Sequence, residues 1–552
     1  MPPRRSISPA TLEELCVTEI LNYLERELQF CHQVRRYQHN SLLLRRRAID
    51  ADALQAELSC HLDILPPLLN EIVRQQLTHR LLKNPAKTFI NNPTIVVDLL
   101  DIVLNKDVKS LEFGDPRLRS DTEVWEVVLR RCSGLRRFAL VSNMFGIKGG
   151  AAFQPFLRKL SFNCPMLTEL VLKDSVRGAE TLAAIGRCCN VLKYLDISGS
   201  QVNCSDLIHL CLRVPPSSGI YAQYDTLMAE VTEHDLNHLC QSLEVLMLCN
   251  TSVKSKGAAF ALKVIPNLVS LGNFVYLAAG LTKLYGAKAR PKPPPKLKVG
   301  FYHGPSQLKL KVLANCCPSL ERLYVGSESL RRMHTSNFAV YRKLQSLTLE
   351  NIHVDDIIQA LMYLPQLTDL QISSAGIDVG LIGLHCPRLE KLCITGEPIK
   401  KPTVTPNTVL FLQLQELKLI CASSIECAAL LLTQAPKIRV VELVRIRDLT
   451  DAVLAKWLRW NPMTHLETLM VRYTELTRAS VDLLLAQCPR LTRLGELGGW
   501  DIRSWECRRL KDLVLRENYA LHLVLYSRNA DSIIIDILTE NTSSDDEIEN
   551  IL

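Results

Sequence analysis

At 552 residues the chain exceeds what one compact core supports, so it is either several domains or a repeat array that grows along one axis. Its residues are 47% hydrophobic, 22% charged and only 6% aromatic, the balance of an ordinary soluble protein packed on aliphatic side chains. The formal charge of +8 comes from 65 basic and 57 acidic residues interspersed along most of the chain, which does not argue for nucleic acid, and no run approaches the roughly 18 apolar residues of a membrane span.

The first sixteen residues contain no apolar core and carry Glu13 and Glu14, so no signal peptide is expected. The nineteen cysteines are therefore expected as free thiols in a reducing compartment, cytoplasmic or nuclear.

The first predicted element is a helix in TLEELCVTEI. Leu12, Cys16 and Ile20 stand four residues apart and share one side, and Thr11 with Glu14 has the spacing of a capping box. A second helix is predicted in ILPPLLNEIVRQQL, with Pro66 at its first turn and Leu65, Leu69 and Val73 on one side. Either side could simply pack on the protein's own repeats. The first string also resembles, at every defined position, the BC box of elongin C-binding proteins, in which the Leu and Cys enter a pocket of elongin C. Leu65, Pro66, Leu69 and Val73 resemble the cullin-2 box of VHL-type receptors. A second resemblance stays open: LPPLLNEIV is similar to the opening of an F-box, which would imply a Skp-type adaptor, although LTHRLLKNPAKTF lacks the tryptophan that follows in F-boxes.

From about Leu111 to about Leu494 one phrase recurs. It appears as LRRFALVSN from Leu135, LTELVLKDS from Leu167, LKYLDISGS from Leu192 and LEVLMLCNT from Leu243. Later copies start at Leu320, Leu344, Leu367, Leu389, Leu414, Ile438 and Leu466. Each is apolar at positions 1, 4 and 6. Positions 4 and 6 alternate as a half-buried strand requires, and the leucine- and alanine-rich stretch that follows, such as GAETLAAIGRCCN, reads as a helix covering the other side. From Leu320 to Leu491 the starts lie 22 to 28 residues apart, the period of leucine-rich repeats.

Cys164-Pro165, Cys317-Pro318, Cys386-Pro387 and Cys488-Pro489 lead into strands; proline stops the helix and a small thiol packs behind it. Without CxxC pairs and histidine at zinc-like spacing, no metal is expected, and no cofactor. Two intervals of about double length, from Leu192 and from Leu268, are expected to hide degenerate repeats near Val214 and Leu297, with loops near 214–235 and 276–306. YGAKARPKPPPKLK carries Lys288, Arg290, Lys292, Lys296 and Lys298 among four prolines, an exposed insertion that could also serve nuclear import.

The fold class expected is α/β: a leucine-rich-repeat solenoid, a curved horseshoe over 108–499, preceded by an α-helical adaptor-binding region over 1–80 (boxes at 11–20 and 65–73) and a helical linker or cap over 81–107. A C-terminal cap is expected over 500–530, then an acidic tail over 531–552. Strand residues between the buried leucines should line the concave face: Arg136, Arg137, Glu169, Tyr194, Asp196, Met247, Arg322, Tyr324, Glu350, Asp369, Lys391, Lys418, Glu442, Met470 and Arg472. Of these, Tyr194, Met247, Arg322, Tyr324, Glu350, Glu442 and Arg472 are the candidate substrate contacts, because mixed charge with occasional Tyr, Met and Arg suits a protein or peptide.

No GxGxxG or GxxxxGK[ST] loop, HExxH or GxSxG turn is present, so no catalysis is expected. The chain resembles the leucine-rich-repeat substrate receptors of cullin-2, elongin B and C ubiquitin ligases, of zyg-11 or PRAME type. That resemblance implies elongin-binding residues Thr11, Leu12, Cys16 and Ile20, cullin-binding residues Leu65, Pro66, Leu69 and Val73, and as partners elongin C, elongin B, cullin-2 with its RING subunit, and a protein substrate. It departs from the pattern in the roughly 45 residues between the boxes and in lacking the armadillo-like C-terminal half of the zyg-11 type. A ligase-independent interaction scaffold or inhibitor is a further alternative and a nuclear RNA-associated solenoid, supported by the basic loop alone, a distant one; membrane is not expected as a partner, and nucleic acid only in that last reading.

Overall fold

A computed structural model describes residues 100–114, 122–140, 153–214, 224–286, 290–304, 306–396, 410–420, 425–446, 448–517 and 519–524, with a few single residues elsewhere. The box residues Thr11, Leu12, Cys16, Ile20, Leu65, Pro66, Leu69 and Val73, together with Lys288 and the acidic tail, lie outside the described residues. The chain divides into two compact units, Ser8–Leu323 and Tyr324–Leu552.

In the first unit, strands β1 (Ser110–Phe113), β2 (Arg137–Leu140), β3 (Glu169–Leu172), β4 (Tyr194–Asp196) and β5 (Val245–Met247) form a sheet in chain order. All neighbours are parallel, with Phe138 opposite Leu170 and Leu170 opposite Leu195. Helices α1 (Thr122–Arg131), α2 (Phe153–Asn163), α3 (Ala179–Cys188) and α4 (Cys204–Cys211) alternate with the strands. After two short helices, α5 (Tyr224–Glu230) and α6 (Leu239–Ser242), come α7 (Ser255–Val264), α8 (Leu277–Tyr285), β6 (Val299–His303) and α9 (Gln307–Cys316).

The second unit contains the strands that follow Leu323, beginning within β7 (Arg322–Arg331). They are β8 (Ser346–Ile352), β9 (Asp369–Ser373), β10 (Lys391–Thr395), β11 (Glu416–Ile420), β12 (Val440–Val444), β13 (Thr468–Arg472), β14 (Arg493–Gly495) and β15 (His522–Val524). From β8 to β15 each pairs in parallel with the next. The helices are α10 (Val354–Leu361), α11 (Val379–His385), α12 (Ile425–Thr433), α13 (Asp451–Trp460), α14 (Arg478–Gln487) and α15 (Ser504–Arg516).

Each unit is a leucine-rich-repeat array, and the register gives the reason. Parallel neighbours in register stack position 1 on position 1, 4 on 4 and 6 on 6. Leu367, Leu370 and Ile372 lie beside Leu389, Leu392 and Ile394, all 2% exposed or less. Burying one such side chain contributes about 2 kcal/mol, so no single repeat is stable alone while a stack of them is. Helix starts are set locally: Asn203 Oδ1 accepts from the amides of Ser205 and Asp206, and the Asp206 carboxylate accepts from Asn203 N at 2.9 Å. The cysteines that precede strands tie repeats together, since the Cys164 thiol donates to the Cys132 carbonyl, 2.9 Å away.

The two long intervals resolve differently. Near Leu297 there is a strand, β6, with Leu297 and Tyr302 buried. Near Val214 there is no added strand in the sheet, because β4 pairs directly with β5, Tyr194 opposite Val245. The intervening chain leaves the array, and Leu212 and Leu236 close its base as an antiparallel bridge. Asn237 Nδ2 stitches that base to the Leu210 and Leu212 carbonyls at 2.9 and 3.1 Å. In the second unit, the expected cap over 500–530 adds helix α15 and one more parallel strand, with Arg493 opposite His522.

Candidate protein-binding surface on the strand face

Side chains at positions 3 and 5 of each strand point away from the helices, and this face differs between the two units. In the first unit it begins charged. Arg137 Nε donates to Glu169 at 2.8 Å and its Nη1 lies 3.4 Å from Glu112. It then turns apolar through half-buried Tyr194, Val245, Met247, Val299 and Phe301. Met247 lies over Gly272, where a Cβ would come within 2.8 Å of its sulfur, and Gly272 has φ +69°, so this position admits only glycine without rearrangement. Arg136 stands at the exposed edge of the array. Arg322, half-buried, is the next position-3 residue after Val299.

Asp196 was expected on the open face, but its carboxyl is only 1% exposed. It accepts from Ser198 N at 2.9 Å, with Lys173 Nζ 4.0 Å away. Burial raises its pKa above the usual carboxylate value, against the pull of the Ser198 hydrogen bonds and Lys173. The nearest polar groups sit in the same turn and close over it, so Asp196 is a structural group.

In the second unit the strand face is a ladder of opposite charges. Tyr324 donates its hydroxyl to Glu350, and burial, then that carboxylate, pushes its phenol pKa up. Ser346 donates to Asp369 at 2.9 Å. Lys391 lies 3.1 Å from Glu416 and Lys418 lies 3.8 Å from Glu442. Arg472 Nη2 bridges Glu442 at 3.5 Å and Glu496 at 2.9 Å. Met470 stands half-buried beside Glu442 on the next strand. The structure thus joins Tyr324 to Glu350 and Glu442 to Arg472, while Tyr194, Met247 and Arg322 belong to the other unit.

Two residues of this face were not anticipated. Glu496 occupies position 6 of the unit starting at Leu491, where every other phrase has an apolar side chain; a charge at a core position was the visible signal. Cys393, position 5 of the phrase starting at Leu389, faces the ladder, and burial pushes its thiol up to about 12.

Ahead of the array, Arg74 is buried and its Nη1 donates to the carbonyls of Ile102 (2.7 Å) and Val103 (3.0 Å), supplying a cation to a helix C-terminus. The Leu82 carbonyl accepts from Gly114 N at 3.1 Å, one residue past β1. Arg74, the described residue next to the second box, and Leu82 are both fastened to the start of the array.

Among the described residues no three His, Cys, Asp or Glu side chains converge as a metal site, and no helix is long and apolar enough to cross a membrane. The fifteen described cysteines are free.

No family model and no curated protein matches the chain by sequence. Among solved structures, an internalin from Listeria monocytogenes is 17% identical, covering 68% of this chain and 89% of its own with a TM-score of 0.36. A leucine-rich-repeat protein from Leptospira interrogans is 14% identical, with coverage of 78% and 92% and a TM-score of 0.32. The yeast complex of Rad7 and Elc1 gives 14%, 76% and 90%, and 0.29. The strand registers and the stacked, buried leucines of each unit are themselves the leucine-rich-repeat fold.

Proposed function

We propose that this chain is the substrate-recognition subunit of a cullin-RING ubiquitin ligase. Thr11, Leu12, Cys16 and Ile20 bind elongin C, Leu65, Pro66, Leu69 and Val73 recruit cullin-2, and the strand face holds a protein substrate. The observation that carries this reading is the order of features along the chain: two adaptor-type boxes, then an array whose strand face is left uncovered by its own helices. In one unit paired charges with Tyr324 and Met470, and in the other an apolar strip around Met247, each suit a protein ligand, whose aromatic and aliphatic anchors supply most interface energy. The chain itself contributes proximity, holding a substrate lysine near ubiquitin transferred by other subunits.

The test is capture of purified elongin B and C by the full chain, compared with the Leu12→Ala, Cys16→Phe double variant. Loss of capture in the variant supports the reading; undiminished capture, or none by either protein, overturns the elongin assignment. Pro66→Ala should weaken cullin-2 capture while sparing elongin.

A further inference from the structure

Between Glu244 and Glu321 the sequence contains no aspartate or glutamate, but ten lysines and one arginine. Those eleven charges exceed the +8 of the entire chain, so the remainder is net negative. Averaged over 552 residues the excess disappears, which is why overall composition did not point to a polyanion.

The fold gathers these charges on the helix side of the first unit. Helices α7, α8 and α9 follow one another in the array, α7 packing on α8 and α8 on α9. The approach of α7 to α8 is close: a Cβ on Gly280 would lie 2.6 Å from Ala258 Cβ. Lys256 and Lys263 on α7, Lys283 on α8, and Lys309 and Lys311 on α9 are all exposed. The connection from α8 to β6 adds exposed Arg290, Lys292, Lys296 and Lys298, and its prolines prevent it from collapsing into a core. Lys296 Nζ lies 2.6 Å from Asn267 Oδ1, which ties this connection to the loop after α7.

Elsewhere the array neutralises its surface cations with carboxylates of the adjoining repeat, as in Lys193–Glu244, Lys391–Glu416 and Arg439–Glu467. Here Lys298 follows that pattern, 3.3 Å from Glu321. Lys283, Arg290, Lys292, Lys309 and Lys311 have no ion-pair partner among the described residues. Neighbouring like charges repel, and a patch of this density is satisfied by an external polyanion.

We infer that this helix face binds the phosphate backbone of a double-stranded nucleic acid without reading its sequence. Lysine outnumbers arginine ten to one, giving compact point charges for dispersed phosphates and not the bidentate forks that grip a single phosphorylated side chain. Against these cations the described residues from α7 to α9 expose few large apolar side chains, Val275, Tyr276 and Leu308, and the connecting segment none, since Leu297 is buried; the balance favours a charged duplex backbone over stacked bases or lipid. Three helices about 9 Å apart present a broad surface on the scale of a duplex.

The experiment is fluorescence anisotropy of labelled 20-base-pair DNA and RNA duplexes of one mixed sequence, titrated in separate arms with the full chain from about 50 to 200 mM salt. Binding to either duplex is expected, with log affinity falling linearly in log salt at a slope near −4 to −5, for about five phosphates neutralised. Lys283→Glu, Arg290→Glu, Lys292→Glu, Lys309→Glu and Lys311→Glu combined should lower affinity at least tenfold and flatten the slope. The matching Gln substitutions should give a smaller loss of the same sign with an unchanged melting transition. Reversal of exposed Lys437, Lys456 and Arg459 should change little. No duplex binding at 50 mM salt, equal loss in that control, or tighter binding to oligo(dT) or phosphatidylserine vesicles overturns the assignment. None of these readouts involves elongin or cullin, so this inference and the ligase reading fail separately.

Discussion

Arg472 Nη2 lies 2.9 Å from Glu496 Oε1, and both side chains are about nine-tenths buried on the outer side of a sheet. Glu442, 3.5 Å from the same nitrogen, is the other carboxylate that this guanidinium holds. Arg472→Ala would leave two largely buried carboxylates facing each other, so a loss of about 3 kcal/mol is expected in denaturant unfolding of the full chain. Arg472→Lys keeps the charge but not the planar fork and should recover only part of it. A loss below 0.5 kcal/mol would mean the site is effectively solvated.

Asn461 Nδ2 donates to the Leu432 and Ala435 carbonyls at 2.7 and 2.9 Å, as Asn237 does in the other unit. Asn461→Ala removes the Leu432 carbonyl's side-chain donor and leaves the Ala435 carbonyl with Ile438 N alone, and about 2 kcal/mol of stability should be lost. Hydrogen exchange should locate the loosening at α12 and α13, since repeats transmit stress mainly to neighbours.

Asp196 supplies the pH test. Its folded pKa is raised above the ordinary 3.8, first by burial, so the folded state binds the proton more tightly than the unfolded chain. That contribution is complete below pH 3.8 and is lost as pH rises through the raised folded value. Asp196→Asn cannot lose a proton. It should therefore gain on the wild type as pH rises from 4 to 8, read as a widening gap in melting temperature. A constant difference across that range would assign the carboxyl an ordinary pKa.

Burial pushes the thiols of Cys132 and Cys386 up to about 12 and those of Cys164 and Cys488 up to about 11. At pH 8 each is almost entirely protonated and shielded from solvent, so iodoacetamide should spare these four while alkylating half-exposed Cys188 and Cys204 first. Mass spectrometry of the native protein, then of urea-unfolded protein, reads the order directly.

The array was legible in the sequence because its signal is repeated: Leu170 alone says little, but an apolar residue at positions 1, 4 and 6 of eleven phrases fixes strand, register and buried face together. The strand at β6 was visible through Leu297 for the same reason. The stretch at Val214 misled because CLRV ends helix α4 and enters a departure from the array, where apolar residues serve the base of the excursion. Asp196 occupies an outward position by count, yet the turn at Ser198 closes over it, a tertiary effect that alternation cannot report. Arg74 resembled any other cation in a basic stretch until a helix C-terminus was placed beside it.

The direct pairing of β4 with β5 has a practical corollary. Fifty residues separate Tyr194 from Val245, yet their strands are immediate neighbours, and the base of the excursion is latched by Leu212, Leu236 and Asn237. Val214, exposed where the chain departs from the array, thus marks a natural seam. A protease site or a fluorescent protein placed there would leave the ladder continuous on both sides, and two halves cut at that seam should remain one particle until denatured.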